Sequence, residues 1–141
     1  MTIKNLQHFQ QHGFLVSRKI LNSESVRNFR SSIIHLLKEF IASDATIDKT
    51  LLQLSEDQMI VSFRKDFPAQ FGVFYDRLQT SGFCIAFCTD KNILEFVSSI
   101  LNTKANNLAW AGILLRIDVP HDTRNTVSWH QDHTYLPFGG A

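Results

Sequence analysis

The stretch on which the fold interpretation depends is residues 108–120, which read LAWAGILLRIDVP. This run is apolar and long enough for a buried strand, and Pro120 would end it because proline cannot continue a hydrogen-bonded ladder. Odd-numbered residues from Ile113 to Val119 would then share one face of the strand, while Leu114, Arg116 and Asp118 share the other. The sequence therefore predicts that a β region begins here.

The sequence before this stretch has patterns typical of helices. A short helix is predicted from Ile3 to His12, with Thr2 as N-cap and Gly13 just past its end. Phe14 to Ser17 predicts a short strand, and Asn22 or Ser23 is expected to cap the next helix. Apolar residues in that helix recur every three or four positions, which gives it one apolar face: Val26, Phe29, Ile33, Leu36, Leu37, Phe40 and Ile41.

The middle of the chain predicts further helices. Thr50 to Gln58 is a candidate, and Asp66-Phe67-Pro68 predicts a helix start with proline in the first turn, running to about Gln79. Thr89 or Asp90 is expected to cap another helix. Helices followed by the beginning of a β region indicate an α+β domain. We expect one domain over residues 1–141, mainly helical over 1–105.

Composition excludes several functional classes. The net charge is +1 and basic runs are absent, so neither a nucleic-acid partner nor an acidic membrane surface is expected. No apolar window is long enough for a membrane span, and the N-terminus does not resemble a signal peptide. Two cysteines, Cys84 and Cys88, lie in an apolar run and are expected to be buried reduced thiols. These features favour an intracellular, cytoplasmic protein.

Metal-ligand chemistry is concentrated in Trp129-His130-Gln131-Asp132. On an extended segment, residues two apart point to the same side, so His130 and Asp132 could reach one metal ion. An imidazole and a carboxylate are two of the three ligands in the 2-His-1-carboxylate triad that holds non-heme Fe(II). We therefore predict a metal site that includes His130 and Asp132.

The chain resembles the phytanoyl-CoA dioxygenase family of Fe(II)/2-oxoglutarate-dependent oxygenases. The resemblance rests on the apolar stretch ending at Pro120, a polar loop, and then residues 129–138, which read WHQDHTYLPF. It also rests on the N-terminal part of the chain. Family members commonly begin with a helix, a Gly-Phe-hydrophobic strand and a capped helix, and the second and third of these resemble Gly13-Phe14-Leu15-Val16 and Asn22 to Ile41 here. It spans nearly the whole chain but only the first half or so of a typical family member.

The resemblance implies a fold and a set of roles. The fold would be a double-stranded β-helix, a cupin-like jelly roll, with the N-terminal helices packed on its first strands at residues 106–141. His130 and Asp132 would be catalytic iron ligands, with Gln131 between them. Leu115 would line the 2-oxoglutarate pocket, and Tyr135 would border the active site. Fe(II) and 2-oxoglutarate would be the cofactor and co-substrate, and O2 and a small or lipid-like organic molecule the substrates.

The resemblance also implies that part of the site lies elsewhere. In relatives, the distal histidine ligand and the arginine that binds the 2-oxoglutarate carboxylate lie beyond the position of residue 141. We therefore expect an incomplete oxygenase domain that is inactive as these 141 residues alone.

Alternative interpretations stay open for these residues. The chain could be a non-catalytic helical interaction module, or His130, Asp132 and perhaps His133 could form a divalent-metal site completed by another chain. His133 is expected to face away from its neighbours, and Arg116 to be a surface or salt-bridge residue rather than the 2-oxoglutarate clamp. His121 is expected in a solvated loop. His8, His12 and His35 are expected to be surface residues without partners.

Overall fold

The computed structural model describes residues 3–109, 112 and 115–121, and this part of the chain is helical. It contains six α-helices and two short 3-10 helices, at Lys49–Gln53 and Ala105–Asn107. The α-helices are α1 (Ile3–His12), α2 (Ser23–Ser43), α3 (Glu56–Asp66), α4 (Pro68–Gln79), α5 (Gly82–Cys88) and α6 (Lys91–Ile100).

Local sequence signals fix where several of these helices begin and end. The Asn22 side chain accepts a 2.7 Å hydrogen bond from the Ser25 backbone N–H at the start of α2. Asp90 accepts one of 2.8 Å from Asn92 at the start of α6. Gly13 takes φ +75°, and its N–H donates to the Phe9 carbonyl, which ends α1. The predicted boundaries at these three positions are confirmed.

The core lies between α2, α3, α4 and the 3-10 helix that joins α2 to α3. Phe63 is fully buried, and its ring centroid lies 5.7 to 6.0 Å from those of Phe40, Phe71 and Phe74. Such edge and tilted ring contacts stabilise a core beyond the apolar area that they bury. The buried cluster consists of Ile34, Leu37, Phe40, Ile41, Ile47, Leu51, Met59, Phe63, Phe71, Phe74 and Leu78.

The predicted α+β class, with a jelly roll at its C-terminal end, is wrong for the part of the chain that the structure describes. That part is 68% helix and contains no β-strand. Residues 14–17, predicted as a strand, are irregular, and Phe14 and Val16 are 56% and 74% exposed. A strand needs a neighbouring strand to pair with. In the described part of the chain, the buried apolar side chains are instead those of packed helices.

Two further differences concern the middle of the chain. The predicted helix over Thr50 to Gln58 is interrupted, because the 3-10 helix ends at Gln53 and Ser55 caps α3. The apolar run that contains both cysteines forms α5, which the sequence did not predict. Short helices such as α5 lack the periodic pattern that distinguishes a helix from a buried strand.

Candidate functional site

Most of the predicted site residues lie outside the described part of the chain. His130, Gln131, Asp132 and Tyr135 are among them, as is His133. Leu115 is described: it is half-buried and packs against the helical core. The geometry that bears on the predicted site is therefore that of residues 115–121, which precede the motif.

Exposure alternates along this segment. Leu115, Ile117 and Val119 are half-buried, whereas Arg116 and Asp118 are exposed. Over residues 115–119 this confirms the alternation of faces predicted from the sequence, although Leu115 and Ile117 pack on helices rather than in a sheet. Arg116 donates to Asp118 across 3.0 Å at the surface, which confirms the predicted salt-bridge role.

A buried arginine anchors the segment to the helices. Arg64 of α3 is 6% exposed, and its Nη1 donates a 3.1 Å hydrogen bond to the Ile117 carbonyl. Its guanidinium also lies 5.1 Å from the ring centroid of Phe71, a favourable cation–π distance. Charged donors make stronger hydrogen bonds than neutral ones, so Arg64 contributes to holding Ile117 against the helices.

Tyr75 lies beside this anchor. Its ring stacks on that of Phe71 with centroids 6.2 Å apart. Burial raises the pKa of the Tyr75 phenol, while the positive charges of Arg116 and Arg64 oppose that rise. A raised pKa favours the neutral phenol of Tyr75 beside Arg64 and Arg116.

Metal ligands do not converge in the described part of the chain. No group of three or more histidine, cysteine, aspartate or glutamate side chains is arranged there to hold an ion. His121 is exposed and has φ +65°, in agreement with the predicted solvated loop.

An open groove of about 370 Å³ lies between the end of α2 and α4. Three of its polar side chains, Ser43, Asp44 and Gln70, are hydrogen-bonded within the protein. The Asp44 carboxylate accepts hydrogen bonds of 2.9 and 2.7 Å from the N–H and hydroxyl of Thr46, which hold its pKa below the usual value. Arg77 lies over the Phe40 ring at 5.2 Å. The carboxylate in this groove is therefore already held by Thr46.

Both cysteines lie on α5. Cys84 is fully buried and Cys88 is half-buried, and both are free thiols. Burial raises the pKa of the Cys84 thiol, and the neighbouring Cys88 raises it further. Since the thiolate is the nucleophile, a raised pKa makes Cys84 a packing residue, as the sequence predicted.

The structure brings together two histidines that the sequence interpretation treated as unrelated. His8 and His12 lie on one face of α1 with ring centroids 4.5 Å apart. Phe14 lies beside them, at 5.2 Å from His8 and 6.4 Å from His12. Their spacing of four residues on a predicted helix was the signal that could have revealed the pair.

Comparison with known proteins identifies no relative of this chain. No protein-family model matches the chain, and no curated protein or solved structure is significantly similar to it. Among the described residues, no helix is both long and apolar enough to cross a membrane. The dioxygenase resemblance therefore rests on the sequence motif and its context.

Proposed function

We propose that this chain contributes His130 and Asp132 as iron ligands to an Fe(II)- and 2-oxoglutarate-dependent oxygenase. The observation that supports the proposal is the alternating segment 115–119. Arg64 holds it on the helical core, and it leads into the polar loop and His130-Gln131-Asp132 in the order expected for this family. The proposal requires no jelly roll within the described residues.

The donor set fits the proposed metal. Imidazole nitrogen with carboxylate oxygen is the ligand combination of non-heme Fe(II) oxygenases, which leave coordination positions open. The bound iron would supply oxidative chemistry with O2 and 2-oxoglutarate. The chain's own residues would hold and orient the metal: His130 through an imidazole nitrogen and Asp132 through a carboxylate oxygen. Gln131 and Tyr135 would border that site, and Leu115 would form part of its apolar wall.

The substrate class and location are part of the same proposal. A small or lipid-like organic molecule is the substrate that we propose, with O2 as co-substrate. Two free cysteines in the described helices favour an intracellular, cytoplasmic site of action, where thiols stay reduced.

Anaerobic titration of the full-length protein with Fe(II) and 2-oxoglutarate tests this proposal. We expect a charge-transfer absorption band that needs both additions, and succinate formation once O2 is admitted. His130→Ala and Asp132→Ala should abolish both signals. His133→Ala is the matched control and should keep most of the activity, because adjacent residues of an extended segment face opposite sides.

Two other outcomes would replace the proposal. If Zn²⁺ binds with equal dependence on His130, Asp132 and His133, and no 2-oxoglutarate signal is seen, the site is a divalent-metal site shared between chains. If no metal binds, a non-catalytic helical interaction module is favoured. The half-buried apolar residues of α6, which include Phe96 and Val97, would then be the surface to examine.

A further inference from the structure

We propose that His8 and His12 form a second metal site, which takes a divalent transition-metal ion of the Cu²⁺ and Zn²⁺ class. The site uses only residues of α1 and its C-terminal turn. It shares no residue with the oxygenase site proposed above and does not depend on it.

The geometry of the two imidazoles suits one shared ion. Residues four apart on a helix are neighbours on one face, and paired histidines at this spacing bind zinc in helical metal sites. A Zn–N bond is about 2 Å, so two adjacent ligands on one ion place their ring centroids roughly 4.5 to 5 Å apart. The observed centroid separation is 4.5 Å, with the ring planes inclined at 41°.

The end of α1 limits the freedom of the two rings. Gly13 adopts φ +75° and turns the chain back, which places Phe14 against the pair. The Phe14 ring meets His8 edge-on, with an interplanar angle of 86°, and lies 6.4 Å from His12. A neighbouring ring restricts side-chain rotation, so less conformational entropy is lost when a metal binds.

The ligand type selects the class of ion. Neutral imidazoles suit zinc, copper and nickel, whereas magnesium and calcium prefer oxygen ligands. Both histidines are exposed, so an ion can reach them from solvent. No third histidine, cysteine or carboxylate joins the pair within the described residues, so the other coordination positions would be taken by water. Cu²⁺ should bind more tightly than Zn²⁺.

Metal binding should stabilise α1 itself. The helix has ten residues, a length at which isolated helices are marginal in water. It is also not among the described elements that pack extensively against one another. An ion that bridges His8 and His12 closes one helical turn, and it would oppose local unfolding by binding only the helical form.

Hydrogen exchange of the α1 amides, measured by NMR on the untagged full chain, tests the proposal. Zn²⁺ alone is the probe, because it is diamagnetic. At a free concentration of 100 times its Kd, Zn²⁺ should slow exchange in α1 on the order of 100-fold. Mg²⁺ at the same concentration should have no effect. Titration with Cu²⁺, followed by absorbance, should give a lower Kd than that of Zn²⁺.

Variants of the same helix make the test specific. His8→Gln and His12→Gln should each abolish the Zn²⁺ protection of α1. His35→Gln, which removes an exposed histidine from α2, should leave it intact. A double variant with Gln10→His and His12→Gln keeps the number of imidazoles but places them two residues apart, on different faces, and should also fail to bind.

Two results would overturn the proposal. One is Zn²⁺ protection of α1 that persists in His8→Gln and His12→Gln, because the ion would then act from another site. The other is protection of equal size in the double variant, which would show that helical spacing is irrelevant. A background of His130→Ala with His133→Ala should not change the α1 result, since the two proposed metal sites are independent.

Discussion

Arg64 is the described side chain that most directly links the helical core to the region preceding the proposed iron ligands. It is buried, it donates to the Ile117 carbonyl, and its guanidinium lies over the Phe71 ring. A buried charge is retained only where its hydrogen bonds and packing offset the loss of hydration. The side chain therefore helps to hold residues 115–119 on the core, together with the packing of Leu115 and Ile117.

We expect Arg64→Met to lower the free energy of unfolding by about 2 kcal/mol, because the Ile117 carbonyl loses a charged donor and Phe71 loses its cation. Amides of residues 115–119 should also exchange faster with solvent. Urea denaturation and hydrogen exchange would measure the two effects. Lys65→Met, at the exposed neighbouring position, is the control. Identical behaviour of the two variants would show that Arg64 is not an anchor.

At the scale of the element, helix ends are decided by side chains close in sequence. The Asn22 side chain satisfies the Ser25 N–H, and Gly13 supplies the positive φ that ends α1. Such signals involve three or four adjacent residues and can be recognised without knowledge of the fold. Strand formation differs, because a strand is stable only beside a partner that sequence periodicity does not identify.

Asn22→Ala should destabilise the protein by about 1 kcal/mol through loss of the cap. Asn28→Ala makes the same chemical change at an exposed position within α2, where alanine is the better helix former, and should be neutral or slightly stabilising. Thermal unfolding of the two variants would compare them. If both lower the melting temperature equally, the effect is not one of capping.

At the scale of the whole molecule, stability rests on a cluster of aromatic rings between α2, α3 and α4. Phe63 lies at its centre and contacts rings from both neighbouring helices, Phe40 on α2 and Phe71 and Phe74 on α4. Apolar residues nearer the N-terminus, such as Phe14 and Val16, stay exposed. The contribution of an apolar residue therefore depends on its place in the fold.

Phe63→Ala should cost about 3 to 5 kcal/mol, because it opens a cavity that the surrounding rings cannot fill. Val16→Ala, at a position that is 74% exposed, should change the stability by less than about 0.5 kcal/mol. Guanidinium denaturation would measure both. A small loss for Phe63→Ala would mean that the core can collapse around the missing ring.

The two proposed metal sites differ in whether the sequence predicted them. His130 and Asp132 were identified from a motif and its order in the chain, so their role is a prediction that the described residues do not test. The pairing of His8 with His12 was not predicted from the sequence. Their four-residue spacing was visible in the sequence, but the position of Phe14 beside them depends on the turn at Gly13.

Strong periodicity and local caps were enough to predict helices such as α2 and α6, and apolar alternation predicted the two faces of residues 115–119. These features depend on neighbouring residues and on the geometry of the backbone. The choice of helices over a sheet as the surface for this segment follows from tertiary contacts, among them the hydrogen bond from Arg64. That choice depends on a residue more than fifty positions away, and the pattern of apolar residues does not specify which surface will bury it.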